Sequence, residues 1–324
     1  MTRKKWTTED IEYLKANIGN ATFEELAEHF CVSRNSIAHK ASKLGISRKS
    51  LSGQLWTVEE DNLLRQHFAY APRNMLVRLF PNRTWVAILQ RGINSLGLTR
   101  KSQDKYFINY KALSEWNEFT AYLLGFTMAD GYIKRNHGVR HENSLQFELA
   151  VYDKDILEKI ARNLDFEGPI AESKRGTVKL YISNTKVLDD LIEKGVPVTN
   201  KTINAKFPPN IPKDLIRHFI RGLFDGDGSI YIDEQSPVFQ LLGTKELLCT
   251  VKNILPQFFS SVNVLDRSKS GANIHCLKLK EKKKTFHLLN WMYNDSTIYL
   301  QRKYDKYCQI INSPSYGKPC EDRT

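Results

Sequence analysis

"FIRGLFDGDGSI", residues Phe219 to Ile230, ends an apolar run with two carboxylates set among glycines. Earlier in the chain, "YLLGFTMADGYI", Tyr122 to Ile133, has the same outline: apolar residues, a Gly, four residues, then Asp-Gly and an apolar-aromatic run. Asp130 and Asp227 stand 97 residues apart. One such stretch is a curiosity, whereas two at matching places indicate an internal repeat built around an acid.

The pattern around the two acids repeats as well. Each is followed by two hydrophobic strands and then a helix, "KDILEKIARNL" (Lys154–Leu164) against "KELLCTVKNIL" (Lys245–Leu255). Two further strands come next, with "SKRG" at 173–176 answered by "SKSG" at 268–271, and then a closing helix. The expected unit is helix-strand-strand-helix-strand-strand-helix, twice. Its strands alternate: Val178, Leu180 and Ile182 share one face of "TVKLYIS", and Thr177, Lys179, Tyr181 and Ser183 share the other. An antiparallel sheet with one apolar and one basic-polar face needs helices behind it and an anionic partner in front. The apolar runs before the acids read as helices, the second starting at Pro212 and Asp214. Small residues recur four apart in them, Gly125 and Ala129, then Gly222 and Gly226. Positions four apart share a helix face, and small residues there let two backbones approach. Such packing brings Asp130 and Asp227 together on a pseudo-twofold axis.

The first third of the chain repeats independently. "KKWTTEDIEYL" from Lys4 matches "GQLWTVEEDNLL" from Gly53, and "SKLGISRKS" (42–50) returns as "NSLGLTRKS" (94–102), the offset growing from 50 to 52. Each copy reads as three short helices, with Thr7 or Thr57 capping the first and Ser33 capping the third helix of copy one, which Gly45 stops. The third helices offer Arg34, Asn35, His39 and Lys40 in copy one, and Arg83, Gln90 and Arg91 in copy two. Arg, Asn and Gln suit base edges and Lys suits phosphates, so these are candidate major-groove residues. The arrangement resembles tandem Myb/SANT-like helix-turn-helix modules. Trihelical modules also bind proteins, and Trp6, Trp56 and Trp85 read as core fillers under either use. The polar, basic stretch 99–111 reads as a linker.

Composition agrees with a polyanionic partner. The formal net charge is +12; residues 1–105 hold 17 basic and 10 acidic residues and the remainder 31 and 26. The excess is densest in front, which favours nucleic acid first and an anionic membrane second. No apolar run reaches membrane-spanning length, and "MTRKKWTTED" has no apolar region of a secretion signal. Five cysteines without a C-x-x-C pair, and histidines without a zinc spacing, point to free thiols in a reducing compartment.

Two adjacent carboxylates repel unless a cation lies between them. Oxygen ligands favour Mg²⁺, with Mn²⁺ as a substitute, above all where substrate phosphates supply further ligands. One acid per half about a dyad suits the two strands of duplex DNA. The paired stretches resemble the motifs of the single-chain, two-motif LAGLIDADG homing endonucleases, over roughly residues 115–310. The resemblance implies an α+β fold of two pseudo-symmetric αββαββα halves forming a DNA-binding saddle, preceded by two small all-α trihelical modules. It implies a monomeric, site-specific double-strand DNA endonuclease that acts on a long asymmetric target, leaves short 3′ overhangs and serves intron homing. Asp130 and Asp227 are then the catalytic, metal-binding acids, and the carbonyls of Ala129 and Gly226 face the metal. Lys303 and Lys201 are the expected basic residues near the scissile phosphates. The family often has an acid two residues before the catalytic one; Asp225 keeps it, but Met128 replaces it in the first motif, which weakens a metal role for Asp225. On the saddle, Lys134, Gln146, Lys179 and Tyr181 of the first half and Tyr231, Gln240, Lys278 and Lys280 of the second are the expected DNA contacts.

The expected parts are modules at 1–50 and 51–104, a linker with the first half at 105–205, and the second half at 206–324. An EF-hand fails, because Ile230 stands where that loop needs Gly. A structural turn explains one Asp-Gly but not two on apolar helices. Intein splicing is not expected from ends of Met1 and Thr324. The alternatives that stay open are a catalytically silent DNA-binding regulator and an intron RNA maturase, the latter with intron RNA as a partner. The expected location is inside a cell: a bacterial or phage-infected cytoplasm, or an organelle.

Overall fold

The computed structural model describes residues 4, 6–18, 21–46, 55–101, 106–135, 143–234, 236–268 and 274–313. Cys320, the ends of the repeated "SRKS"/"TRKS" segments, residues 102–105 of the linker and most of "SKSG" lie outside the described residues. Contacts divide the chain into a unit at 1–105 and a unit at 106–324.

The first unit holds α1 (Thr8–Asn17), α2 (Phe23–His29) and α3 (Arg34–Lys43), then α4 (Val58–His67), α5 (Arg73–Leu79) and α6 (Trp85–Gln90). Short helices such as these depend on their caps. The Thr7, Thr22 and Thr57 hydroxyls each accept from the backbone N–H three residues on, and Asp10, Glu25 and Glu60 return the bond to the cap's own N–H. Ser33 and Thr84 cap α3 and α6 in the same way without the reciprocal acid. Leu14, Leu26, Phe30 and Ile37 are buried in the first trio, and Leu64, Phe68, Leu76, Phe80 and Ile88 in the second. The chain leaves α3 through Gly45 and the second trio through Gly97, both at φ +64°, where a Cβ is disfavoured. A π turn, Arg91–Ser95, continues α6.

The second unit runs α7 (Glu118–Ala129), β1 (Tyr132–Lys134), β2 (Ser144–Ala150), α8 (Lys154–Asn163), β3 (Ile170–Glu172), β4 (Thr177–Ile182), α9 (Thr185–Glu193) and a short α10 (Lys201–Asn204). It repeats as α11 (Ile216–Asp227), β5 (Gly228–Asp233), β6 (Ser236–Gly243), α12 (Lys245–Ile254), the short α13 (Pro256–Phe259), β7 (Val264–Asp266), β8 (His275–Leu279), α14 (Lys282–Tyr293) and α15 (Gln301–Ile311). The two antiparallel sheets have the same topology, β1-β2-β4-β3 and β5-β6-β8-β7. Registers correspond too: Gln146 lies between Tyr132 and Tyr181, and Gln240 between Ser229 and Lys278. Helix α11 starts four residues later than Pro212 suggested, because Lys213–Leu215 form a tighter 3-10 turn.

One core joins both halves through α7 and α11. Every residue of α7 from Phe119 to Ala129 is buried, which explains a helix apolar all round. Each large apolar side chain so buried contributes about 1.5–3 kcal/mol.

Candidate active site

The axis of the second unit is a glycine contact made twice. A Cβ on Gly125 would stand 2.2 Å from the carbonyl oxygen of Phe219 and 2.8 Å from the nitrogen of Leu223. A Cβ on Gly222 would stand 2.1 Å from the carbonyl oxygen of Tyr122 and 2.8 Å from the nitrogen of Phe126. All three pairs of positions, 125 and 222, 122 and 219, 126 and 223, differ by 97. The two helices therefore meet backbone to backbone about a pseudo-twofold axis, as only glycines permit. One turn on, a Cβ on Gly226 would lie 2.3 Å from the Ala129 Cβ and 3.2 Å from Asp130 Oδ2. Asp130 at the end of α7 and Asp227 at the end of α11 thus share one place.

Electrostatics reflect that crowding. Both carboxylates open to solvent on one side, while protein packs around the other. Burial raises the Asp130 pKa, opposed by the charges of Lys201 and Lys303. Burial and then the negative charge of Asp130 push Asp227 up to about 6. A pair of acids held where neither ionises comfortably alone is stabilised by a divalent cation. Among the described residues, no third His, Cys, Asp or Glu converges on it. The donor set fits a hard cation that takes its remaining ligands from water and phosphate oxygens, as Mg²⁺ does.

The two lysines are beside the acids, in a different role from that expected. Lys303 is only 3% exposed. Its ammonium donates to the carbonyls of Phe224, Asp225 (2.8 Å) and Gly228 (2.6 Å). An ammonium has three N–H groups, so none is left for a phosphate. Burial pushes the Lys303 pKa down to about 8, against the raising charges of Asp225, Asp130 and Asp227. Lys201 donates to the carbonyls of Ala129 (2.6 Å) and Gly131, and burial lowers its pKa. Each lysine ties off the carbonyl end of a motif helix, where a cation is favoured. The Ala129 carbonyl, expected to face a metal, accepts from the Lys201 ammonium. Gly226 acts by close approach.

Asp225 is not a ligand either. It is wholly buried and accepts from the Tyr122 hydroxyl (2.8 Å), the Tyr293 hydroxyl (2.6 Å) and the Leu300 N–H (2.8 Å). Arg221, also wholly buried, donates to the carbonyls of Ile298 (2.9 Å) and Met292 (2.7 Å) and to Glu118 (2.7 Å). Sequence reading missed this network. The signal was present: an Arg and an Asp four apart on an apolar helix face one way, and buried charges must be answered.

The expected DNA contacts divide. On the sheets, Tyr181 and Tyr231 are exposed, and Gln146, Gln240, Lys134 and Lys278 are half-buried. Lys179 pairs with Glu148 at 2.9 Å and Lys280 with Asp233 at 3.2 Å. Exposed pairs of this kind are weak and exchangeable. In the first unit Arg34, Asn35 and His39 are exposed, Arg34 pairing with Glu24, while Lys40 lies over the Trp6 ring. Gln90 is exposed, but Arg83 and Arg91 require correction. Arg83 is 8% exposed and donates to both Glu60 oxygens and the Leu55 carbonyl. Arg91 makes a two-point bond to Asp61, at 2.9 and 2.7 Å. Their guanidiniums close the small core of the second trio instead of facing a groove.

No family model matches the chain. Among solved structures, the LAGLIDADG meganuclease I-AabMI bound to uncleaved DNA is similar at 16% identity and a TM-score of 0.43, over 60% of this chain and 90% of that one. A probable translation initiation factor IF-2 of Methanocaldococcus jannaschii is 27% identical over 186 residues, 56% of this chain, which spans only 14% of the factor's length. Uncharacterized protein Lin2600 of Listeria innocua is 35% identical over 223 residues, 68% of this chain and 82% of that protein. At that identity and coverage, the chain belongs to one family with the Listeria protein Lin2600.

Proposed function

We propose that the protein is a site-specific double-strand DNA endonuclease of the LAGLIDADG homing type. The observation that supports this most is the reciprocal Gly125/Gly222 packing, which sets Asp130 and Asp227 side by side at the end of two dyad-related helices. Two acids about a dyad match two antiparallel phosphodiester strands, and the net charge of +12 favours that polyanion. Asp130 and Asp227 would hold Mg²⁺, or Mn²⁺ in its place. When bound, the cation supplies a water of lowered pKa and neutralises charge on the leaving oxygen. Lys201 and Lys303 act as positioning residues: they fix the helix ends that carry the acids and favour the ionised carboxylates through their charge. The two sheets, with Gln146, Tyr181, Gln240 and Lys278 on one face each, would lie along the major groove, and the helical modules of the first unit would lengthen the contact.

The test is cleavage of a genomic or randomised DNA library with Mg²⁺, reading ends by sequencing, with the Asp130→Asn/Asp227→Asn variant alongside. Recurrent ends with short 3′ overhangs, absent from the variant, are expected. Selective retention of DNA with no metal-dependent cuts would instead make the chain a non-cleaving DNA-binding protein.

A further inference from the structure

The two helical trios present different chemistry on equivalent helices. Ser33 and Thr84 cap α3 and α6 alike, and Ile37 and Ile88 fill the same core position 51 residues apart. Gly45 and Gly97 end the two copies in the same left-handed geometry, now 52 apart. The extra residue is taken up in the π turn Arg91–Ser95, whose Gly92 receives the ring of Phe68 where a Cβ would meet it at 2.3 Å. Insertions of this kind are rare and concentrate at functional sites.

On α3 the exposed positions are Arg34, Asn35, Ser36, His39, Ser42 and Lys43. On α6 and its π turn they are Val86 (60% exposed), Gln90, Ile93 (48% exposed), Asn94 and Ser95. Val86, Gln90 and Asn94 are four apart in succession, and the wider π turn keeps Asn94 in line with the other two, with Ile93 beside it. The cations of this helix are withdrawn, Arg91 to Asp61 and Arg83 to Glu60. An exposed cation, Arg73, lies over the ring of Trp85 at 5.3 Å, beside the start of the helix and suited to a phosphate. A carboxamide offers one donor and one acceptor, which matches adenine N6 and N7 and not the two acceptors of guanine. Branched aliphatic side chains beside it match the thymine methyl.

We propose that Trp85–Ser95 is a base-reading helix for A·T pairs in the major groove, with Gln90 and Asn94 on adenine edges and Val86 and Ile93 on thymine methyls, while α3 supplies charge. This deepens the DNA-endonuclease reading and rests on it. The experiment selects duplexes from a randomised pool with the full-length chain, without added divalent cation, and repeats the selection with Gln90→Ala, Asn94→Ala and Arg34→Ala. Gln90→Ala should lose about tenfold in preference for A·T at one or two base pairs and keep the salt dependence. Arg34→Ala should weaken all sequences evenly and flatten that dependence. Replacing thymine by deoxyuracil at the same pairs should weaken the unaltered chain several-fold, about the worth of one methyl contact, and unchanged binding at all of them would overturn the parts given to Val86 and Ile93. All replaced side chains are exposed, and unchanged melting temperatures check that folding survives. If the chain retains a site that it cuts once Mg²⁺ is added, but Gln90→Ala and Asn94→Ala keep its base preferences, or relax them at G·C pairs, this inference falls alone. If the chain retains no duplex at all, the endonuclease reading falls with it.

Discussion

The two halves of the second unit share one backbone plan and differ in what lies under it. At positions 97 apart, the first half has Ala121, Leu124 and Met128 where the second has His218, Arg221 and Asp225. The first set packs as hydrocarbon. The second is a buried polar network reaching back to Glu118 and Tyr122 of the first half. Backbone symmetry is thus imposed by the glycines, whereas side-chain chemistry diverges: Asp225 and Arg221 find hydrogen-bond partners, and His218 Nδ1 faces Glu118 at 3.5 Å. The acids on the axis are the exception, since Asp130 and Asp227 stand at equivalent positions in both halves.

The sharpest way to break this comparison is at the axis. Asp130→Asn and Asp227→Asn should each lower cleavage by about 10³-fold, equivalent to about 4 kcal/mol, as measured by strand-specific cleavage of a cognate duplex. Cleavage at full rate in either variant would show that the two acids are not a functional pair. Gly125→Ala and Gly222→Ala come next. Each places a methyl within 2.2 Å of a carbonyl oxygen of the other helix, so the helices must separate. A cost of about 3 kcal/mol or more is expected from each, with the two alike, in urea unfolding. A large difference between them would show that the axis is not symmetric.

The divergent positions should respond unequally. Asp225→Asn leaves a donor facing two hydroxyls and an N–H and should cost about 2–4 kcal/mol. Met128→Leu, a change of shape among apolar neighbours, should cost less than about 1.5 kcal/mol in the same titration. A pH effect is confined to the second half. Burial, followed by the charge of Arg221, lowers the His218 pKa to about 4, Glu118 opposing. The unfolded chain takes up this proton below its ordinary value near 6.5, and the folded one does not until about 4. Stability from neutral His218 is therefore complete above pH 6.5 and is lost as pH falls from 6.5 to 4, by roughly 3 kcal/mol. His218→Gln should flatten unfolding free energy across that window. A loss that persists in this variant would come from another group, and Ala121, the counterpart of His218, cannot supply it.

Much of the architecture was legible in the residues. Alternation placed Val178, Leu180 and Ile182 on the buried face of β4, and the structure buries all three. Small residues four apart marked the helix contact before any coordinates did, because backbone approach excludes side chains whatever surrounds it. Where the reading went astray, the partner was distant. Arg83 and Arg91 looked like groove residues because nothing nearby in sequence claims them; Glu60 and Asp61, 23 and 30 residues away, do. Lys303 was expected beside a scissile phosphate, yet its ammonium is consumed by carbonyls 75 and more residues earlier.

The sequence by itself determined what is local or periodic: caps, strand faces, the two trios, the doubled acid motif and the helix face that must be small. These follow from dihedral preference and from the spacing of apolar residues, which act over a few residues. Only the tertiary structure decided which charges are spent. A buried Arg, Lys or Asp must find donors or acceptors wherever the chain brings them, and loop closure over scores of residues leaves no mark in the local pattern. That is why Asp130 and Asp227 could be named from a repeat, while the parts played by Asp225, Arg221 and Lys303 could be read only from their hydrogen bonds.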